Sequence, residues 1–143
     1  MADYSGDIPV ADAWSDLASK PDATLIDVRT AAEWNYVGAP DLDTIGKATH
    51  FIAWNDLPSG HVPADFSARL RVELVIAGIS VEAPLYFICR SGQRSRNAAI
   101  AATAAGHLHC FNVMDGFEGG LDPDGHRGTD GSWKAAELPW RQS

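Results

Sequence analysis

Hydrophobic and polar positions along the chain alternate between two patterns, and together these predict strands and helices in turn. Continuous apolar runs, typical of strands covered on both faces, predict strands at residues 24–28, 49–52, 84–88 and 110–114. Apolar positions three and four residues apart, typical of helices, predict helices at residues 11–19, 63–77 and 95–105, and a brief one over residues 30–34. Gly78 and Gly106 stand where the two longer helices should end.

This order of elements predicts one doubly wound α/β domain, with a parallel sheet and right-handed crossovers. The chain has 143 residues, of which 45% are apolar, enough for one core and too few for a second domain. Residues 38–46 are rich in Gly, Pro and Asp and predict a loop. We expect residues 121–143 to be loop plus a short segment, mildly helical near residues 133–138, packed on the same domain.

The overall charge narrows the classes of partner. A formal net charge of −8 argues against a nucleic-acid-binding or anionic-membrane surface. Residues 1–10 lack the basic and apolar stretches of a signal peptide, and no run approaches the length of a membrane span. We therefore expect a cytoplasmic protein in which both cysteines, Cys89 and Cys110, are free thiols.

The segment of residues 89–95 carries the chemistry that the sequence suggests. It joins the most apolar predicted strand to the alanine-rich predicted helix, so its backbone N–H groups should converge at the helix N-terminus, where anions bind. Cys89 opens the loop, Gly92 permits a tight turn, and Arg90 and Arg94 add positive charge. These surroundings favour the nucleophilic thiolate. Most buried cysteines are inert, but this context reverses that expectation for Cys89.

Three segments resemble the rhodanese (thiosulfate sulfurtransferase) family, in the family's order and spacing. Cys89-Arg90-Ser91-Gly92-Gln93-Arg94-Ser95 is similar to its active-site signature. Leu25-Ile26-Asp27-Val28-Arg29, followed by Glu33-Trp34, is similar to its N-terminal motif, and Val113-Met114-Asp115-Gly116-Phe117-Glu118-Gly119 to its motif after the last strand. The resemblance covers residues 5–120, which we predict to be a rhodanese domain, with residues 121–143 as a C-terminal extension.

The resemblance implies a fold, a reaction and roles for residues. The fold is a central parallel sheet of about five strands with helices on both faces. In the reaction, Cys89 takes a sulfane sulfur from thiosulfate or a similar donor and passes it, as a persulfide, to cyanide or a thiol. The residues implied to bind the substrate are Arg90, Ser91, Gly92, Gln93, Arg94 and Ser95. The arginines would attract the small anionic donor and the loop amides would hold the persulfide. No other cofactor, metal, nucleic acid or membrane is implied, and any protein acceptor of the sulfur is unknown.

The sequence departs from the family pattern in one place. Many relatives have Gly-His-Ile-Pro-Gly-Ala after the glutamate, whereas this chain has Val37-Gly38-Ala39-Pro40-Asp41-Leu42 and a longer loop up to Ala48. The family pattern therefore does not predict which residues form the rim of the site.

Two other functions remain as alternatives. A phosphatase or arsenate-reductase relative needs five residues between its cysteine and arginine, but only four separate Cys89 from Arg94, so the ring of amides is too small for phosphate. A non-catalytic binding or regulatory module could use the same scaffold. Such modules usually lack the cysteine, which this chain keeps.

Other polar residues allow a structural or a functional interpretation. Asp27, Arg29 and Glu33 could support the site rim, but an ion pair with a capping network is the favoured interpretation. His107, His109 and Cys110 lack metal-ligand spacing, and Cys110 is expected to be a small buried residue. A segment with Asp122, Asp124, His126 and Asp130 lacks the final glutamate of a calcium loop and predicts a solvated loop. Five tryptophans, at positions 14, 34, 54, 133 and 140, are expected to anchor the core or tail, with Trp34 or Trp54 bordering the site.

Overall fold

A five-stranded, wholly parallel sheet forms the centre of the protein, whose computed structural model describes residues 3–54, 65–129 and 131–142. The strands are β1 (Gly6–Ile8), β2 (Thr24–Asp27), β4 (His50–Phe51), β5 (Pro84–Ile88) and β6 (His109–Val113), in the order β1-β6-β5-β2-β4. Two further strands, β3 (Ala39–Pro40) and β7 (Trp140–Arg141), pair antiparallel in a separate small sheet. The five-stranded parallel sheet confirms the predicted fold class.

Helices cover both faces of the central sheet. They are α1 (Val10–Ser19), α2 (Ala31–Tyr36), α3 (Phe66–Ile76) and α4 (Gln93–Ala104). Side chains alternate across β5, so that Leu85 and Phe87 join one hydrophobic core while Tyr86 and Ile88 join the other. Helices α3 and α4 pack into the first core and α1 into the second.

Helix α4 lies against the sheet through three fully buried alanines, Ala98, Ala99 and Ala102. Their small side chains let the helix backbone approach the strands closely. This approach places the N-terminus of α4 directly beyond the carboxyl end of β5, where ligands bind in parallel α/β sheets.

Several predicted boundaries differ from those of the structure. Helix α4 begins at Gln93 rather than residue 95, because Gly92, with φ of +114°, turns the chain into the helix. The predicted loop at 38–46 contains β3 and a 3₁₀ turn at Asp43–Ile45. Residues 63 and 64 of the helix predicted at residues 63–77 lie outside the described residues.

The C-terminal tail folds back over the second core. Trp133 is fully buried, contacts Trp14 edge-to-face at 5.8 Å between ring centroids, and its amide donates to the Gly116 carbonyl. The helix predicted near residues 133–138 is wrong, since residues 133–137 form turns. Pro139 ends the segment after little more than one turn, and its carbonyl accepts the Trp133 indole N–H at 2.8 Å. Among the described helices, none is long and apolar enough to cross a bilayer.

Candidate active site

The Cys89 sulfur lies at the junction of β5 and α4, facing the backbone of its own loop. The amide N–H of Gly92 donates to Cys89 Sγ at 3.1 Å. The left-handed conformation of Gly92 brings this amide back onto the sulfur. The sulfur thus lies beside the N-terminus of α4, whose first turn has N–H groups without partners inside the helix. Cys89 is only 1% exposed, so the sulfur lies within the protein surface.

The loop is held from behind by the segment that follows β6. The amide of Phe117 donates to the Cys89 carbonyl at 2.8 Å, and the amides of Glu118 and Gly119 both donate to the Arg90 carbonyl at 3.0 Å. Gly116 makes this approach possible, because a Cβ at that position would lie 2.5 Å from the Cys89 carbonyl oxygen. Residues 113–119, the motif after the last strand, thus fix the backbone of residues 89–95, which we call the cysteine loop.

A chain of side-chain hydrogen bonds leads from the sulfur to β1. Cys89 Sγ lies 3.1 Å from Ser95 Oγ, and the Ser95 hydroxyl donates to Asn112 Oδ1 at 2.6 Å. Asn112 Nδ2 then donates to Asp7 Oδ1 at 2.9 Å, and the Tyr4 hydroxyl donates to the same oxygen at 2.8 Å. Cys89, Ser95 and Asn112 are buried, whereas Asp7 is exposed.

Arg94 forms a two-pronged ion pair with Glu33. Its two terminal nitrogens donate to the two Glu33 carboxylate oxygens at 2.6 and 2.9 Å. Burial alone would raise the pKa of Glu33, but the hydrogen bonds and charge of Arg94, together with the Thr30 amide and the charge of Arg29, outweigh it, so the pKa is lowered. The hydrogen bonds that Arg94 donates to Glu33 likewise raise the pKa of Arg94. Glu33 also caps α2, since it accepts from the Thr30 amide while the Thr30 hydroxyl accepts from the Glu33 amide.

Asp27 and Arg29 form a fully buried ion pair beneath the site. Arg29 Nη2 donates to Asp27 Oδ2 at 2.8 Å and to the Gly38 carbonyl at 2.8 Å. The guanidinium lies 4.3 Å from the centre of the Phe117 ring. Since the Phe117 amide binds the Cys89 carbonyl, this pair supports the loop from below, in agreement with the structural interpretation of these residues.

The structure brings some of the predicted site residues to the sulfur and leaves others at the surface. The Gly92 amide and the Ser95 hydroxyl contact Sγ, while Arg90, Ser91 and Gln93 are exposed. Asn112 and Asp7 were missed by the sequence analysis. The available signal was a polar residue, Asn112, between Phe111 and Val113 in strand β6.

The remaining candidates lie elsewhere. Cys110 is buried in β6, as expected, and burial raises the pKa of its thiol. Asp122 accepts from the amides of Asp124 and His126, which makes this segment a hydrogen-bonded turn; Asp130 lies outside the described residues. In the described ranges, no three acidic, His or Cys side chains are grouped to hold a metal ion.

The tryptophans divide between the core, the tail and the surface of α2. Trp54 packs edge-to-face on Phe66, at 4.8 Å between ring centroids. Trp34 contacts Phe51 and, together with it, lines a cleft of about 380 Å³. Arg141 of β7 also lines this cleft, and the loop of residues 89–95 does not.

The sequence of this chain is similar to a known protein family and to proteins of Rickettsia species. The sequence model of the family described as "Rhodanese-like domain" matches residues 10–122. An uncharacterized protein of Rickettsia conorii is 37% identical over 129 residues, covering 90% of this chain and 91% of its own. A protein of Rickettsia prowazekii is 33% identical over the same shares.

Solved structures agree with the sequence matches. The crystal structure of Rv0390 from M. tuberculosis is 44% identical, with a TM-score of 0.87, over 98% of this chain and 99% of that chain. The polysulfide-sulfur transferase homodimer from Wolinella succinogenes shares the fold at a TM-score of 0.59 and 21% identity, over 99% of this chain and 80% of that chain. The chain therefore belongs to the family of rhodanese-like domains.

Proposed function

We propose that this protein is a sulfurtransferase that carries a sulfane sulfur as a persulfide on Cys89. The observation that supports this most directly is the position of the sulfur at the start of α4. There it accepts a hydrogen bond from the Gly92 amide at 3.1 Å. Backbone N–H groups and the helix dipole stabilise negative charge there. Membership of the rhodanese-like family agrees with sulfur transfer as the general activity.

The proposed reaction has two steps that return the enzyme to its starting state. In the first, the Cys89 thiolate attacks the outer sulfur of thiosulfate or a similar donor. The sulfur–sulfur bond of the donor breaks, and sulfite leaves with the electron pair. In the second, cyanide or a thiolate attacks the outer sulfur of the persulfide. The new persulfide bond breaks, the acceptor keeps the sulfur, and Cys89 returns as the thiolate.

The two arginines have different parts in this proposal. Arg94 is already paired with Glu33 through two hydrogen bonds, which holds its charge beside the loop. Arg90 is exposed at the loop surface. We therefore assign to Arg90 the attraction of an anionic donor, and to Arg94 the stabilisation of the loop and of charge on the sulfur. The amides of residues 91–95 would hold the outer sulfur.

Steady-state transfer from thiosulfate to cyanide, measured as thiocyanate formed, tests the proposal. We expect Cys89→Ser to abolish the activity, because the alcohol is too poor a nucleophile to accept the sulfur. Cys110→Ser is the matched control, since Cys110 is also buried but lies away from the loop, and it should retain activity. Activity that survives Cys89→Ser would refute the assignment of the nucleophile. A wild-type protein that fails with thiosulfate, polysulfide and aryl thiosulfonate donors would refute sulfur transfer itself.

A further inference from the structure

We propose that Asn112 and Asp7 are positioning residues that turn the hydroxyl of Ser95 away from the sulfur of Cys89. In this arrangement the Ser95 hydroxyl donates its hydrogen bond to Asn112, and the Ser95 oxygen faces the sulfur as a hydrogen-bond acceptor. The inference deepens the proposed function, because it concerns which forms of Cys89 the site favours during sulfur transfer.

The direction of each hydrogen bond follows from what each group is able to donate. The Asp7 carboxylate only accepts, so the atom of Asn112 at 2.9 Å from it must be the amide nitrogen. The Asn112 oxygen therefore faces Ser95, and since that oxygen also only accepts, the single Ser95 proton is used at 2.6 Å. The bond at 3.1 Å between Cys89 and Ser95 then takes its proton from the thiol.

This arrangement distinguishes the three forms of Cys89. The thiol donates to Ser95 and leaves the Ser95–Asn112 bond intact. In a persulfide the inner sulfur has no negative charge and needs no donor, so that bond also stays. The bare thiolate, in contrast, attracts the Ser95 proton, and turning the hydroxyl toward sulfur breaks the short bond to Asn112. The network therefore disfavours the thiolate relative to the thiol and the sulfur-loaded form.

Other charged groups act on the same sulfur and must be separated from the network. Arg94, paired with Glu33, and the Gly92 amide favour the thiolate. The Asp7 charge would disfavour it through space without any contribution from Ser95. Arg96 lies near the Tyr4 ring at the outer end of the network, 5.9 Å from its centre. A double-mutant cycle that includes Ser95 isolates the effect of the hydroxyl. The part of the shift that the hydroxyl transmits is lost when Ser95 is replaced by alanine, whereas the effects of distant charges remain.

The measurement is the rate of alkylation of Cys89 by iodoacetamide against pH, read by mass spectrometry of the Cys89 peptide. Asn112→Ala should lower the midpoint of the profile by about one pH unit, because the freed hydroxyl then donates to the thiolate. In the Ser95→Ala background, Asn112→Ala should cause no further shift. A shift that persists without Ser95, or no shift in the single variant, would overturn the proposal.

A variant at the exposed residue Asp7 tests the same network without a substitution in the buried strand β6. Asp7→Ala leaves Asn112 free to rotate its amide, so that its nitrogen faces Ser95 and the hydroxyl proton is released to the sulfur. We expect a shift in the same direction that also disappears with Ser95→Ala. Asp12→Ala, which removes an exposed acidic residue of α1, is the control and should leave the midpoint unchanged. An equal shift in Asp12→Ala would show that net charge alone is responsible.

No sulfur donor is present in these assays, so their outcome is independent of the proposed function. If the midpoints shift as expected while no donor loads Cys89, the positioning role stands and sulfur transfer fails. If transfer proceeds but the midpoints do not shift, the positioning role fails alone.

Discussion

Glu33 is the residue that connects the cysteine loop to the N-terminal motif of residues 25–34. One carboxylate closes the cap of α2 at Thr30 and binds both terminal nitrogens of Arg94. The Arg94 side chain itself is only 21% exposed. The pairing places a fixed guanidinium beside the thiol, and it makes the site depend on the ionisation of Glu33.

Glu33→Gln should lower the free energy of unfolding at neutral pH by about 1–3 kcal/mol, because it leaves a half-buried Arg94 without its charged partner. The lowered pKa of Glu33 fixes the pH dependence. The stabilisation is complete above the unfolded pKa of about 4.3 and is lost as pH falls through the lower folded pKa. Urea unfolding across this pH range should show the two proteins converging in acid.

The matched control is Glu82→Gln, because Glu82 is an exposed glutamate. Its effect should stay within about 0.5 kcal/mol at every pH. A gap between wild type and Glu33→Gln that is as wide in acid as at neutral pH would contradict the ion pair as its cause.

Individual residues differed in how far the sequence predicted them. The Asp27–Arg29 pair and the Glu33 cap followed from local spacing, since the partners are two or three residues apart. The Arg94–Glu33 pair joins residues 61 positions apart, and the link from Asn112 to Asp7 joins residues 105 apart. Such contacts depend on which strands become neighbours, and local patterns in the sequence do not show this.

At the scale of elements, the cysteine loop is one of two tight turns that pack backbone against backbone. Gly92 folds an amide onto the sulfur, and Gly116 lets the chain after β6 touch the loop from behind. The geometry at the sulfur therefore depends on contact between two segments far apart in sequence.

Gly116→Ala should displace the cysteine loop, because its Cβ would meet the Cys89 and Arg90 carbonyl groups at 2.5 and 2.6 Å. We expect a loss of about 2–4 kcal/mol in unfolding free energy and a large loss of sulfur transfer, measured by denaturation and thiocyanate formation.

Gly46→Ala is the control for the left-handed conformation alone, since Gly46 has φ of +71° and no atom within 4 Å of an added Cβ. It should cost about 1 kcal/mol and leave sulfur transfer unchanged. Equal losses of activity in the two variants would show that the close approach at Gly116 does not matter for the site.

The sequence predicted the type and order of the main elements because their apolar patterns are long and their ends carry glycines. Strand β1 was not predicted, and β3 and β7 were not predicted either, since two or three residues are too few to show an alternating pattern. Their pairing depends on Trp140, which packs so closely on Gly38 that an added Cβ there would lie 2.7 Å from its ring.

At the scale of the whole molecule, the tail completes one of the two cores. Trp133 is buried among residues of α1 and the central sheet, and β7 ties the end of the tail to β3. The predicted domain boundary near residue 120 stays a prediction. The contacts indicate that the folded rhodanese-like part and the tail stabilise each other.

Trp133→Ala should lower the free energy of unfolding by about 3–5 kcal/mol, because it leaves a large cavity in a closed core and removes the indole hydrogen bond to Pro139. Chemical denaturation followed by far-UV circular dichroism measures this. Trp140→Ala, at a position 40% exposed, is the control and should cost clearly less. Equal small losses would mean that the tail is dispensable for the core.

The central claim is that Cys89 holds transferred sulfur, and the most direct measurement is the intact mass of the protein after incubation with thiosulfate. We predict a gain of one sulfur atom, localised to Cys89 by peptide mapping, absent from Cys89→Ser and removed by cyanide. An unchanged mass with every sulfane-sulfur donor, or sulfur found on Cys110 instead, would contradict the account.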